Sequence, residues 1–244
     1  MSFDHLALLA ADVDDFVAAL ATGPPDAPIA GCPSWTLADL GRHLGEVHRW
    51  AREAIIIGAV PQADPADAAP TELDELAPWV RAGADRLLTT LRDLDPDQPT
   101  WHPFPVEPKV AGLWRRRQAQ EASVHRWDAQ RAIGLSPTVE AGYAADGVDE
   151  YWTVMLPRLM QRPGLSAPSS TFGVVLADTG HRFVADGRSG TLVVDSDGRA
   201  GDAEISGAAV DVLLRLWGRP VPEGALTTSG DLAVAENWLA LGGV

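Results

Sequence analysis

Four polar side chains recur at helical spacing in one stretch of the sequence. They are Arg117, Glu121, His125 and Asp128, separated by four, four and three residues. At about 100° per residue they lie in or beside the arc that also carries Trp114 and other apolar residues, which should face neighbouring helices. Because burying an unpaired charge is expensive, the fold must supply partners for this polar set.

Two interpretations of the polar set are open from periodicity alone. In the first, a buried polar ladder, Arg117 bridges to Glu121 and Asp128 accepts a hydrogen bond from His125. In the second, Glu121 and His125 bind a metal ion, because residues one helical turn apart have Cβ atoms about 6 Å from each other and can converge on one cation.

A carboxylate and one histidine make an incomplete zinc site, so a third ligand should come from another helix. The candidates are His43 and His48, which are five residues apart. They are separated by about 140° around the predicted helix, so they cannot easily serve the same ion. Both lie at the edges of the apolar arc of that helix, and spacing does not choose between them.

Other catalytic patterns are absent from the sequence. It has no glycine-rich phosphate loop, no GxSxG elbow and no His-Glu-x-x-His motif. Cys32 is the single cysteine, which excludes an internal disulfide and a thiolate-rich zinc cluster. The predicted turn around Cys32 has no basic neighbour that would lower the pKa of its thiol.

The elements that must position these residues are predominantly helical in the first two-thirds of the chain. Periodicity and capping signals predict five helices, over residues 3–21, 36–58, from Thr71 to about 91 with Pro78 delaying or kinking its start, 110–133 and 142–160. Beyond residue 164, glycine and aspartate separate short β-rich runs at 171–176, 182–185, 191–194 and 204–206, with helices at 208–217 and 232–241. The pattern predicts an all-α bundle over residues 1–164 and a small α+β domain over residues 165–244.

The charge balance disfavours two classes of partner. Nineteen basic and 34 acidic residues give a net charge of −15, which disfavours nucleic acid and anionic membrane surfaces.

No apolar run approaches the roughly 20 residues of a membrane helix. The first residues lack the pattern of a secretory signal, so we expect a cytoplasmic protein.

Three sequence segments carry a resemblance to a known family. They are residues 32–40 (CPSWTLADL) followed by His43, residues 116–129 (RRQAQEASVHRWDA) and residues 146–150 (DGVDE). In order and spacing they resemble the DinB-like, mycothiol-dependent maleylpyruvate isomerase family. The C-terminal segment 216–219 (LWGR) more loosely resembles the part of the family's sterol-carrier-like domain that holds an arginine.

The resemblance implies a fold and a set of site residues. The fold would be a DinB-like four-helix bundle with a small α+β domain, and the ligands of a divalent metal, usually zinc, would be His43, Glu121 and His125. It assigns Arg117 to cofactor binding and Asp128 to orienting His125 or fixing Arg117. Arg219 would pair with a substrate carboxylate, the alternative for this residue being a surface salt bridge.

The resemblance also implies a reaction. The metal would activate a small thiol, mycothiol in this family, to attack a small electrophilic substrate, so the chain would be an isomerase or S-transferase. A metal-dependent hydrolase on the same bundle and a non-catalytic metal- or ligand-binding protein are the alternatives. We expect a monomer or homodimer whose partners are these small molecules alone.

Overall fold

The structure is a computed structural model that describes residues 3–62, 64, 67–195 and 199–242. Its backbone contacts divide the chain into two units: one covers residues 2–103 and 107–138, and the other residues 104–106 and 139–244 together with residue 1. The first is the helical unit and the second the α+β unit, as predicted. The boundary after residue 164 stays a prediction, but the helix that begins at Ala141 groups with the α+β unit.

The helical unit consists of four long helices. They are α1 (His5–Thr22), α2 (Leu37–Ile57), α3 (Leu76–Arg92) and α4 (Ala111–Ala132). Helix α1 packs mainly on α4 and α2 mainly on α3, while a further contact between α2 and α4 brings together the helices that carry the candidate ligands.

Local sequence signals account for the boundaries of these helices. A capping box fixes the start of α2: the Thr36 side chain accepts from the Asp39 backbone N–H, and the Asp39 carboxylate accepts from the Thr36 backbone N–H. Gly58 ends the helix at a φ of 67°, which favours glycine. Helix α3 begins at Leu76 rather than at Thr71, because Pro78 is tolerated only in the first turn of a helix.

Glycines let α2 and α3 approach each other closely. A Cβ atom at Gly45 would overlap the ring of Trp79, and one at Gly83 would overlap the guanidinium of Arg49. The Arg49 guanidinium stacks over the Trp79 ring at 3.7 Å and bonds to Asp67 at 2.9 Å. These contacts hold α2 and α3 together.

The α+β unit contains a five-stranded sheet in the order β3-β2-β1-β4-β5. Its strands are β1 (Thr171–Leu176), β2 (Arg182–Asp186), β3 (Val193–Asp195), β4 (Ala203–Gly207) and β5 (Leu226–Gly230). Strands β1 and β4 are parallel, and the other neighbours are antiparallel. Strand β5 was not predicted from the sequence, because its residues, Leu-Thr-Thr-Ser-Gly, are almost wholly exposed and show no apolar alternation.

Four helices complete this unit. They are α5 (Ala141–Glu150), α6 (Leu156–Leu159), α7 (Ala209–Leu216) and α8 (Leu232–Leu239). A π-helical turn at Tyr151–Met155 joins α5 to α6, where the sequence predicted one continuous helix. Within the described ranges, no helix is both long and apolar enough to cross a membrane.

Candidate metal centre

The polar set of α4 is buried, as its periodicity predicted. Arg117, His125 and Asp128 are each less than a tenth exposed, although α4 as a whole is strongly polar. Glu121, one turn before His125, is partly buried on the same face. Helix α2 places His43 opposite this face, at its contact with α4.

One carboxylate oxygen is the centre of the cluster. Glu121 Oε1 lies 3.3 Å from His43 Nε2 and 3.3 Å from His125 Nε2. The ligand atoms of the three residues all lie within 4.8 Å of one another. The structure thus brings together the three side chains that the resemblance implied as ligands.

Two further side chains form hydrogen bonds to the residues of this cluster. Arg117 Nη2 donates to Glu121 Oε2 at 2.5 Å, and Asp128 Oδ2 lies 3.1 Å from His125 Nδ1. These are the contacts of the polar ladder. The ladder contacts are present, and they are compatible with a metal site, because Glu121 and His125 each use one atom for the ladder and a different atom towards the candidate metal position.

The electrostatics of the cluster favour an ionised carboxylate. Burial opposes the charge of Glu121, but the Arg117 guanidinium and the hydrogen bonds of His125 and His43 hold the pKa of this carboxyl well below its usual range. Burial also opposes protonation of His125, but its hydrogen bonds to Asp128 and Glu121 raise the pKa of the imidazole. The carboxylate is therefore available to a cation at neutral pH.

The donor set fits a divalent metal ion of zinc type. Metal–ligand bonds of about 2.0–2.1 Å in a tetrahedral arrangement place neighbouring donor atoms about 3.4 Å apart. The two distances from Glu121 Oε1 to the histidine nitrogens, 3.3 Å each, match that edge. Two imidazoles and one carboxylate form a set of three ligands, as in catalytic sites that keep a position open.

The choice between His43 and His48, open from spacing alone, is made by geometry. His48 is fully buried, and neither of its ring nitrogens has a hydrogen-bond partner among the described residues. Burial lowers the pKa of its imidazole to about 3, although the Glu121 charge opposes this shift. His48 is thus a neutral residue of the helix interface and lies outside the three-residue cluster.

Trp35 is a neighbour of the cluster that the sequence analysis did not single out. Its ring centroid lies 4.8 Å from that of His43, and the His43 ring lies 5.1 Å from that of His125 in an edge-on arrangement. A signal existed, since Trp35 belongs to the segment that carries the resemblance. The indole forms an apolar wall beside the ligand on α2.

Arg219 lies in the α+β unit, just beyond α7, and is only 2% exposed. Its Nη1 donates to the carbonyl oxygen of Trp217 at 2.7 Å. Arg219 is therefore not at the surface, where the alternative for this residue had placed it. Its pairing with a substrate carboxylate stays a prediction.

Comparisons with known proteins cover both units. Residues 6–130 match the mycothiol maleylpyruvate isomerase N-terminal domain, and residues 143–237 match the C-terminal domain of the same family. A sequence comparison with curated proteins gave no match.

Two solved structures share the fold across nearly the whole chain. One is mycothiol-dependent maleylpyruvate isomerase, with a TM-score of 0.56 at 15% identity, and the other is a histidine-to-alanine mutant of that enzyme, with a TM-score of 0.57 at 14% identity. In each case the match covers 94% of this chain and 93% of the other. At this identity the likeness concerns the fold.

Proposed function

Because this chain belongs to the mycothiol maleylpyruvate isomerase family, we propose that it is a metal-dependent enzyme in which mycothiol, or a similar small thiol, attacks a small electrophile. The observation that carries the proposal is the cluster of His43, Glu121 and His125, whose donor atoms are spaced for one cation. Family membership supports the identity of the thiol, and the cluster supports a place for its activation.

Each residue of the cluster would supply one donor atom to the metal. His43 and His125 would donate through Nε2 and Glu121 through Oε1. Asp128 accepts from Nδ1 of His125, which leaves the lone pair of Nε2 available, so that Nε2 would be the atom that donates to the metal. A divalent cation held in this way supplies a preference for the thiolate over the thiol form of the cosubstrate.

Access to the cluster runs past its α2 side. The side chain of His43 is 34% exposed, whereas those of Glu121 and His125 are 19% and 8% exposed. A thiol would therefore approach beside His43 and the Trp35 indole, while Asp128 and Arg117 close the opposite side.

The chemistry proposed for the thiolate accounts for both proposed activities, isomerisation and S-transfer. Addition of the sulfur to one carbon of a cis double bond leaves a single bond that can rotate, and loss of the thiolate then gives the trans isomer. With an activated alkene that does not expel the sulfur, the same addition, followed by protonation of the neighbouring carbon, would yield an S-conjugate. Arg219 is proposed to pair with a carboxylate of the substrate.

Metal content is the first test of the proposal. The full chain is purified without added metal, and the wild type is compared with Glu121→Gln and His125→Ala by elemental analysis. We expect about one divalent ion per chain in the wild type and a large loss in both variants, because each removes one of three ligands. Equal, near-zero contents in all three proteins would overturn the ligand assignment.

Thiol turnover is the second test. The metal-loaded protein is incubated with mycothiol and a panel of activated alkenes and epoxides, and both thiol consumption and isomer ratios are measured. Turnover that requires thiol supports the proposal. Product formed equally without thiol would indicate a hydrolase instead, and a ligand-dependent rise in melting temperature without any turnover would indicate a binding protein.

A further inference from the structure

The two oxygens of the Glu121 carboxylate have different partners. Oε1 faces Nε2 of His43 and Nε2 of His125, at 3.3 Å each. Oε2 accepts a hydrogen bond from Arg117 Nη2 at 2.5 Å. The carboxylate is thus divided between the candidate metal position and a guanidinium that is itself buried, with a side-chain exposure of 5%.

We infer that Arg117 is a positioning residue that makes Glu121 a one-oxygen ligand and so keeps a coordination position open for the thiol. This inference rests on the proposed metal centre. A carboxylate can bind a cation through one oxygen or both, and the second mode would fill a position that substrate needs. By holding Oε2, Arg117 leaves only Oε1 for the ion.

The chemistry of arginine suits this role. A guanidinium stays charged at every physiological pH, and its donors are fixed in a plane, so the hydrogen bond to Oε2 persists whether or not a cation is bound. The spacing of four residues on α4 places Arg117 one turn before Glu121 and makes the contact a local one. Arg117 thus orients the carboxylate without touching the metal.

The arrangement has a cost in metal affinity. A fixed positive charge beside a divalent cation repels it, and it withdraws part of the carboxylate's negative charge from the ion. A protein that needed the metal only for stability would gain from a neutral residue here. The buried arginine therefore indicates that an open, electron-poor metal position matters more in this chain than the tightest binding.

Cobalt(II) is the probe for the test, because its visible absorption distinguishes four-coordinate from higher-coordinate sites. The full-length, metal-free protein is titrated with Co²⁺ alone and then with a small thiol, for the wild type, Arg117→Gln and Arg117→Lys. Arg131→Gln, an exposed position of the same helix, is the matched control for loss of one charge. Circular dichroism establishes that each variant is folded.

We expect an intense four-coordinate spectrum for the wild type and for Arg131→Gln, with a clear change on addition of thiol. In Arg117→Gln the absorption should weaken towards that of a higher-coordinate site, the thiol response should shrink, and the Kd for Co²⁺ should fall by up to about tenfold. Arg117→Lys, which keeps a charged donor, should lie between these limits. This conservative variant also keeps the test decisive if Arg117→Gln does not fold.

Two outcomes would overturn the inference while leaving the proposed function standing. One is a higher-coordinate spectrum for the wild type, and the other is a spectrum and thiol response that are the same in Arg117→Gln and the wild type. Failure of the wild type to bind Co²⁺ at all would instead overturn the metal centre itself, so the two failures are distinguishable.

Discussion

At the scale of single residues, burial and partner geometry separate side chains that look alike in the sequence. His43 and His48 are both histidines at the edge of one apolar arc, yet only His43 faces the carboxylate of Glu121. His48 is fully buried, and its ring nitrogens have no hydrogen-bond partner within the described part of the chain. The periodicity of α4 predicted the inward polar set, but the spacing on α2 could not tell which histidine meets it, because that depends on how the two helices cross.

This difference predicts opposite effects of the same substitution at the two positions. His43→Leu should abolish metal binding and leave the melting temperature of the metal-free protein nearly unchanged, since His43 is a third exposed. His48→Leu should retain the metal and leave stability unchanged or raised, because an apolar side chain of similar volume removes two buried polar atoms that lack partners. Elemental analysis and thermal unfolding of the metal-free chains measure both effects.

Each variant serves as the control for the other. Metal loss in His48→Leu, together with metal retention in His43→Leu, would reverse the assignment of the third ligand.

At the scale of elements, local signals predicted the helices well and the long-range features poorly. The capping box at Thr36 and the apolar spacing of α1, α2 and α4 placed these helices within a few residues of their observed bounds. The π-helical turn at Tyr151–Met155 and strand β5 were missed. Pairing with β4 rather than side-chain pattern creates β5, and such pairing is invisible in a local window.

A buried contact between Arg126 and Asp12 connects α4 to α1. Arg126 Nε donates to Asp12 Oδ1 at 2.7 Å, and its other nitrogens reach Gln130 Oε1 and the carbonyl oxygen of Thr138. Burial raises the pKa of Asp12 to about 6, although the Arg126 charge opposes the shift. The folded chain therefore binds a proton at Asp12 more tightly than the unfolded chain does, for which the ordinary value is 3.8.

The raised pKa of Asp12 makes the stability of the folded chain depend on pH. The contribution of Asp12 to the free energy of unfolding is most favourable below pH 4 and is lost as the pH rises through about 6. Its full amplitude is about 3 kcal/mol, because the pKa is raised from 3.8 to about 6. In Asp12→Asn this titration is absent, so the unfolding free energy of the variant relative to the wild type should rise by about 2 kcal/mol, most of the full amplitude, between pH 4 and pH 6.5. Urea unfolding of the metal-free proteins at several pH values measures it.

Asp26→Asn provides the control, because Asp26 is an exposed carboxylate in the loop after α1. The same measurement on this variant shows the effect of losing one exposed carboxylate. A difference between Asp12→Asn and the wild type that does not change with pH would show that Asp12 ionises in the folded chain as it does in the unfolded one.

At the scale of the whole molecule, the two family matches extend over both units, and the resemblance in the sequence had indicated both. The segments around residues 32–43 and 116–129 carried most of this information, because they contain the candidate ligands and the residues that contact them. The α+β unit was harder to predict, since its sheet joins distant segments such as β1 and β4. The sequence did establish one global property directly, a net charge of −15.

That net charge should act on the rate at which a charged substrate arrives. At low salt, where the Debye length is about 30 Å at 0.01 M, a strongly acidic protein repels anions over long distances, and added salt screens the repulsion. The local positive charge of Arg117 and a bound cation acts only at shorter range. For a carboxylate-bearing electrophile, kcat/KM should therefore rise severalfold as NaCl is increased from about 10 mM to about 300 mM.

The methyl ester of the same electrophile is the matched control, because it has the same reacting carbons and no charge. Its kcat/KM should change little over the same range of salt, with the thiol held at saturation in both series. A fall in kcat/KM with salt for the carboxylate alone would show the reverse of this prediction: the field at the entrance to the metal centre would then be set by the nearby cations rather than by the net charge of the molecule.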